Sequence, residues 1–418
     1  MIKLLVIADD FTGALDTGVQ FSNQGISTKI ILYRENEKIF SDEYAEEDVL
    51  VIDAETRHLM PDKAAYIIRN IILQSRENKI SHVYKKTDSA LRGNIGAELS
   101  AALEAAECEV LPFIPAFPEM GRTTEQGIHY INGEPVSTSV FGKDPFEPVC
   151  DDAVADILHR QTDVNIVVIS SEQKELPKEK GIWVFDAGTE ADLKQIADKL
   201  FEDNHIALMA GCAGFAKFLP KLLKLTSQKT KKVKLNKKIF AVCGSVNPIT
   251  QAQLNEGEKN GYPRIYLVGK EKMETGFWES TEGQDKTKEI LAAYNTNTCV
   301  ILDTNDKEGD DLTEKYILEN HLNIDDIRTN ISQTLGFVVK NLLKQGLEAV
   351  LFITGGDTLL GFLNEIGQTR LRPIAEVLPG CVLTEVMFEK KKYHVIAKSG
   401  GFGETNVLEQ LVNLLDKQ

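Results

Sequence analysis

The chain has 418 residues, 42% of them hydrophobic and 26% charged, which is ordinary globular composition but too long for one ordinary core, so two domains are expected. Its 63 acidic and 47 basic residues leave a formal net charge of −16, which excludes a general nucleic-acid or anionic-membrane binder. A small anionic substrate is still allowed, because a local Arg and Lys cluster can reverse the field at one site.

The first apolar run, "KLLVIAD", reads as a buried strand. It is too short for a signal-peptide core and is ended at once by Asp9 and Asp10. "GALDTGVQFSNQG" reads as a helix with Gly25 as its C-cap. "DVLVIDAET" is the next strand, followed by a helix from Pro61 to about Asn78. "SHVYKKTDS" and "IGAELSAALEAAE" repeat the strand–helix pair. This alternation predicts parallel strands with helices on both faces.

From about Leu111 to Val149 the chain is dense in Pro and Gly and rich in aromatics, which predicts an ordered insertion with a hairpin. "NIVVISS", "GIWVFDAGT" and "HIALMAGCAGFAKFL" resume the alternation. "KLTSQKTKKVKLNKK", Lys224 to Lys238, has no apolar face and marks the domain boundary, giving an N-terminal domain over 1–228 and a C-terminal one over 237–418. A second α/β unit follows, with strand–turn–helix passages at "VCGSVNPIT", "FITGGDTLL" and "AKSGGFGE" and a long amphipathic helix from about Arg328 to Lys344. The predicted fold class is therefore α/β: two domains, each with a mostly parallel sheet flanked by helices, and a cleft between them.

Three turns of the second half place glycine between strand and helix: Gly244 with Ser245, Gly355 with Gly356, and Gly400 with Gly401 and Gly403. Glycine lets backbone approach a ligand, and the following helix offers free N–H groups to a phosphate. One such turn is only a tight connection; three in one domain favour a nucleotide or phosphoester site. There is no G-x-x-x-x-G-K-[ST] and no spaced G-x-G-x-x-G, so a P-loop enzyme is excluded and a dinucleotide enzyme is unsupported.

In the first half, "YKKTDSALRGNIG" gathers Lys85, Lys86, Asp88 and Arg92 after a strand. Alternation along a strand predicts that only one of the two lysines is buried, leaving the other to reach the sheet edge. Arg92 offers a guanidinium fork that matches a carboxylate or phosphate, against the plainer reading of a capping Asp with a surface Arg. "DDFTG" raises a similar choice. Asp10 alone would cap a helix, but Asp9 beside it adds repulsion that a purely structural site would avoid. Asp9 is read as the structural acid, Asp10 as an acceptor or general base facing substrate hydroxyls, and Asp16 as lying nearer the rim. Arg122, Lys143 and Asp144 sit in the insertion, where each alone is an ordinary loop residue; His58 reads as a surface contact. The six cysteines form no CxxC pair and the seven histidines no metal-binding spacing, so reduced thiols in a cytoplasm are expected and a dedicated protein-built metal site is not. Cys243 and Cys381 read as small apolar residues.

Together, "VIADDFTGALDTG", "KKTDSALRGNIG", "PAFPEMGRTTEQGIHYING", "FGKDPFEPV", "VCGSVNPIT", "TGGDT" and "KSGGFG" resemble, in order and from Val6 to Gly403, the four-carbon acid sugar kinase family. The resemblance implies an N-terminal sugar-acid-binding domain and a C-terminal domain that binds ATP with nucleotide-borne Mg²⁺. It places the substrate motifs on Asp10, Lys86, Asp88, Arg92 and Arg122; of these, Asp10 and Asp88 are read here as the catalytic residues. It places the nucleotide motifs on Ser245, on Gly355, Gly356, Asp357 and Thr358, and on Gly400, to which the adjoining Gly401 is added as a nucleotide-site residue. The chain departs from the family pattern at Ser139, where Thr is usual, and at Asp357, where Glu is frequent.

The implied reaction moves the ATP γ-phosphoryl to the terminal (4-)hydroxyl of D-threonate or D-erythronate, the "DTGVQ" segment favouring that branch over the 3-oxo-tetronate branch. Arg92 and Lys86 would hold the substrate carboxylate, and Asp10 would orient or deprotonate the attacking hydroxyl. The partners expected are a small sugar acid and ATP, with no nucleic acid and no membrane; homo-oligomerisation is left open. The competing readings are a 3-oxo-tetronate kinase, a sugar-phosphate dehydrogenase and a sensor protein without turnover.

Overall fold

The structure is a computed structural model that describes all residues except 1, 36, 42, 43, 45, 145, 146, 174, 228–232, 399, 400 and 418, and, within a helix, the side chains of 324–326. The chain divides into two compact units, Met1–Thr230 and Lys231–Gln418.

The first unit begins with β1 (Leu4–Ala8), α1 (Phe11–Ser22), β2 (Thr28–Leu32), β3 (Val49–Asp53), α2 (Pro61–Glu77), β4 (His82–Lys86), α3 (Ile95–Ala105) and β5 (Val110–Ile114). A small antiparallel sheet follows, formed by β6 (Arg122–Glu125), β7 (Ile128–Ile131) and β8 (Glu134–Pro135). Then come α4 (Val154–His159), β9 (Ile166–Ile169), β10 (Gly181–Phe185), α5 (Glu190–Glu202), β11 (Leu208–Gly211), α6 (Ala213–Ala216) and α7 (Leu219–Leu222). The main strands run in the order β2-β3-β1-β4-β11-β5-β10-β9, and every pairing is parallel. Strands buried on both faces explain the continuous runs "LLVIA" and "VLVID".

α2 shows how the helices are specified. Pro61 sits in its first turn, Asp62 complements the positive end and Arg76 the negative end. Ala64, Ile67, Ile68, Ile71 and Ile72 form its buried stripe at i, i+3, i+4, i+7 and i+8. Its four isoleucines pack into one core with Leu5, Ile7, Leu50, Ile52 and Leu99.

Two expectations are corrected here. The stretch expected to leave the sheet at Leu111 stays in it through Ile114, as β5 between β11 and β10. Pro112 misleads because proline is unusual in a central strand. Lys85 and Lys86 are both buried, at 0% and 5% exposure. The sheet is covered on both faces, so neighbouring side chains that alternate are each enclosed.

The second unit begins with β12 (Ile239–Cys243), α8 (Pro248–Lys259), β13 (Arg264–Tyr266), α9 (Gly269–Met273), α10 (Thr281–Thr296), β14 (Cys299–Asp303), α11 (Leu312–Asn320) and α12 (Ile324–Lys344). It continues with β15 (Val350–Thr354), α13 (Gly356–Glu365), β16 (Arg370–Leu378), β17 (Cys381–Phe388), β18 (Lys391–Lys398) and α14 (Val407–Asp416). Its strands lie in the order β13-β14-β12-β15-β18-β17-β16, parallel up to β18 and antiparallel beyond it. Cys243 and Cys381 are fully buried in this unit's core with Ile239, Phe352 and Leu411, as expected for small apolar residues.

Near the centre of each unit's sheet two neighbouring strands lead off in opposite directions across it. In the first these are β1 and β4, and in the second β12 and β15. In open α/β sheets the carboxyl edge at such a point forms a crevice for ligands. The acids and lysines of the first half, and the glycine turns of the second, fall on these two edges.

Candidate active site

In the first unit Asp9 and Asp10 leave β1 directly. Asp10 is the N-cap of α1: its backbone is extended (φ −144, ψ 164) and its Oδ1 accepts from the Gly13 N–H at 2.8 Å. Gly13 leaves room at this point. A Cβ at that position would lie 2.6 Å from Asp10 Oδ1 and 2.7 Å from Lys86 Nζ, so the bare backbone makes room for an acid and an amine to share one corner.

Both acids are tied to Arg57, which reasoning from the sequence overlooked. Its Nε donates to Asp9 Oδ2 at 2.7 Å, its Nη1 to Asp10 Oδ2 at 2.6 Å, and its Nη2 lies 3.6 Å from Asp88 Oδ1. Asp9 also accepts the Thr56 and Arg57 N–H groups at its backbone oxygen, at 2.9 and 3.2 Å. The Asp9 side chain is 3% exposed and the Asp10 side chain 21%. Burial works against ionisation of Asp9, but Arg57, Lys85 and Lys86 outweigh it and hold the carboxyl below its usual range. Burial likewise opposes the charge on Arg57, and Asp10, Asp9 and Asp88 overcome it. Asp53, fully buried at the end of β3, is the opposite case. Burial, then Glu55 and Asp10, push its carboxyl well above the usual range.

Asp88 follows β4 and receives a bidentate fork from Arg92, Nε to Oδ2 at 2.9 Å and Nη2 to Oδ1 at 3.0 Å. The Ala90 and Arg92 N–H groups also donate to its Oδ2, each at 3.2 Å. Burial opposes its charge, but Arg57 and Arg92 hold the carboxyl far below the usual range. The Arg92 fork is therefore spent on Asp88, and its Nη1 reaches Asp144 Oδ2 at 3.2 Å. Arg122 begins β6 and donates to the Met120 carbonyl, while its buried Nε has no hydrogen-bond partner among the described residues. The Phe141 ring lies 5.1 Å from the Arg92 guanidinium carbon and 5.9 Å from that of Arg122. Ser139 uses its hydroxyl locally, donating to the Val136 carbonyl at 2.7 Å and accepting from Phe141 N–H at 3.2 Å.

The two lysines divide their tasks. Lys85 turns to the α3 side and pairs with Glu98 at 2.7 Å, both buried. Lys86 sits in register between Ala8 of β1 and Gly211 of β11, at the centre of the carboxyl edge. Among the described residues no acid lies within ion-pair distance of its ammonium. A buried cation left this way is costly unless a ligand supplies the anion. This corner thus combines fixed carboxylate acceptors with an ammonium suited to a small acid bearing hydroxyls.

In the second unit the last residues of β12, β15 and β18 are aligned: Cys243 faces Thr354, and Thr354 faces Lys398. Gly355 caps α13 at φ 102, a conformation that favours glycine, and α13 starts at Gly356. A Cβ on Gly355 would lie 3.3 Å from Thr358 Oγ1 and 3.8 Å from the Ser245 nitrogen, so the two turns touch. Gly401 comes to the same turn, its Cβ position 3.9 Å from Asn247 Nδ2. The Ser245 carbonyl is braced by Gln251 Nε2 at 2.9 Å and Asn305 Nδ2 at 3.1 Å. The structure thus brings Ser245, Gly355, Gly356, Thr358 and Gly401 together; Gly400 lies outside the described residues. Asp357 points instead to Arg328 on α12, with bonds of 2.7 and 2.9 Å, and both side chains are about half exposed. Among the described residues no group of three or more His, Cys, Asp or Glu is placed to hold a metal ion, and no helix is long and apolar enough to cross a membrane.

Comparison with known proteins agrees with this division. A family model described as a sugar-binding N-terminal domain matches residues 4–219, and one described as a nucleotide-binding C-terminal domain matches residues 240–408. The chain is 30% identical over 422 residues to a D-threonate kinase of Salmonella typhimurium, covering 97% of each protein. It is 26% identical to a D-erythronate kinase of Heliobacterium modesticaldum, covering 91% of this chain and 89% of that one. It is 22% identical to a 3-oxo-tetronate kinase of Cupriavidus necator, covering 98% and 96%. A solved Haemophilus influenzae protein shares the fold with a TM-score of 0.73 at 19% identity, over 98% of this chain and 100% of that one.

Proposed function

The chain belongs to the four-carbon acid sugar kinase family, and from that premise we propose that it transfers the ATP γ-phosphoryl to the 4-hydroxyl of D-threonate or D-erythronate. The observation that carries the choice of substrate class is the corner formed by Asp10, Gly13, Lys86 and Arg57. Lys86 takes the substrate carboxylate, since its buried ammonium has no acid partner among the described residues. Asp10 accepts from a substrate hydroxyl through the lone pairs that the Gly13 N–H and Arg57 leave over. Asp88 holds Arg92 and braces Arg57, and so positions the corner more than it reacts. Arg122, whose Nε has no hydrogen-bond partner among the described residues, serves the anionic side of the substrate.

In the reaction the hydroxyl oxygen bonds to the γ-phosphorus, the bond to the ADP oxygen breaks, and the hydroxyl proton passes to Asp10. Such a transfer depends on positioning and charge neutralisation more than on covalent chemistry. The turns at Ser245, Gly355–Gly356 with Thr358, and Gly400–Gly401 hold the triphosphate. Mg²⁺ arrives with the nucleotide as part of the substrate. The test is an ADP-release screen over D-threonate, D-erythronate, their L-forms and 3-oxo-tetronates. The fastest release is expected with one of the two D-acids; highest kcat/KM on a 3-oxo acid would move the chain to the other branch, and release with none would remove the substrate assignment.

A further inference from the structure

We infer that Lys398 is a nucleotide-phosphate ligand, resting on the assignment of this unit to ATP. Lys398 ends β18 and is 3% exposed. Its backbone oxygen accepts the Gly355 N–H at 3.2 Å, which ties it to the turn that opens α13. It lies in the same register row as Thr354 and Cys243, the residues that directly precede the other two glycine turns. Its Nζ donates to Thr250 Oγ1 at 3.2 Å, in the first turn of α8, and Thr250 in turn lies 3.5 Å from Thr354 Oγ1. A long cationic side chain is thus packed beneath the point where three strand ends and two helix N-termini meet.

Among the described residues the titratable groups that act on it include the Cys381 thiol of β17 and the Cys243 thiol of β12; from α8 it meets the hydroxyl of Thr250, which in turn lies beside that of Thr354 on β15. Burial pushes its ammonium down to about 8, with the two thiols pulling weakly the other way. Burial disfavours the charged form of this lysine, and a polyphosphate over the turns would favour it. Binding should therefore draw a proton onto Lys398.

The test is calorimetric titration of the full chain with MgATP and with adenosine at pH 8, in buffers of differing ionisation enthalpy. The wild type should take up about half a proton per ATP and none with adenosine, because a group titrating near 8 is half charged at that pH. Lys398→Met should weaken ATP about tenfold or more, leave adenosine within about twofold and abolish the uptake. Lys398→Arg should recover part of the affinity without the uptake, being charged throughout. The inference is overturned if wild-type ATP binding shows no proton uptake, a result that needs no variant to fold. It is also overturned if Lys398→Met weakens ATP and adenosine equally. Failure of the wild type to bind ATP or ADP at all would instead overturn the nucleotide assignment, and the role of Lys398 with it.

Discussion

Replacing Arg57 with lysine keeps the charge but removes the fork that links Asp9, Asp10 and Asp88. The guanidinium makes two short charge-assisted bonds, 2.7 Å to Asp9 and 2.6 Å to Asp10, and lies 3.6 Å from Asp88. One ammonium cannot serve all three, so at least one such bond is lost, at about 1.5–3 kcal/mol. Full removal, as in Arg57→Met, leaves buried acids uncompensated and costs about 3–5 kcal/mol, a large part of a domain's stability. The assay is urea unfolding followed by Trp183 fluorescence in a Trp278→Phe background, so that the first unit alone is read. The pH dependence gives the sharper check. Asp9 and Asp88 are held below the ordinary carboxylate value of 3.8, so their contribution is complete above that value and is lost as pH falls through their folded-state values. Without the fork those values rise, and the gap between wild type and Arg57→Lys should be largest at pH 7 and shrink below about pH 4. A gap under about 0.5 kcal/mol at pH 7, or one unchanged at pH 3, would refute the role given to Arg57.

Gly13→Ala should separate the site from the fold. Alanine improves helix propensity by up to about 1 kcal/mol, so the melting temperature should move little, while its Cβ displaces Asp10 or Lys86 and kcat/KM falls about tenfold or more. Unchanged kinetics would show that the corner is not the substrate site. Asp10→Asn should lower kcat at saturating substrate well beyond threefold; a smaller loss, under about 1 kcal/mol of barrier, would mean that Asp10 does not take the proton. Gly355→Ala forces a side chain to adopt φ 102 and should raise the KM for ATP while leaving that for the sugar acid within about twofold. Equal effects on both would argue for general damage to the second unit.

Much of the fold was legible because continuous apolar runs and amphipathic stripes leave few options, as in "VLVID" followed by the α2 stripe. The capping role of Asp10 was open as the plainer of two readings, since an acid directly before a helix is a usual N-cap. Arg57 was hidden because its partners lie 47 and 48 residues away, and only the parallel pairing of β1 with β3 brings "AETR" beside "ADD". The one available sign was position: Arg57 follows the end of β3 by four residues, as Asp10 and Asp88 follow the ends of β1 and β4 by two. Lys85 and Lys86 were misjudged for a related reason. Alternation says which face a side chain takes, but not whether that face is covered. The pairing of Asp357 with Arg328 was also out of reach, because it depends on how α12 lies against α13.

The most direct test of the account follows the fate of the phosphoryl group. The full chain, mixed with MgATP and D-threonate or D-erythronate, should give ADP and an acid phosphorylated at C4 in equal amounts, read by phosphorus and carbon NMR. Phosphate on another hydroxyl, or ADP formed at the same rate without the acid, would contradict it.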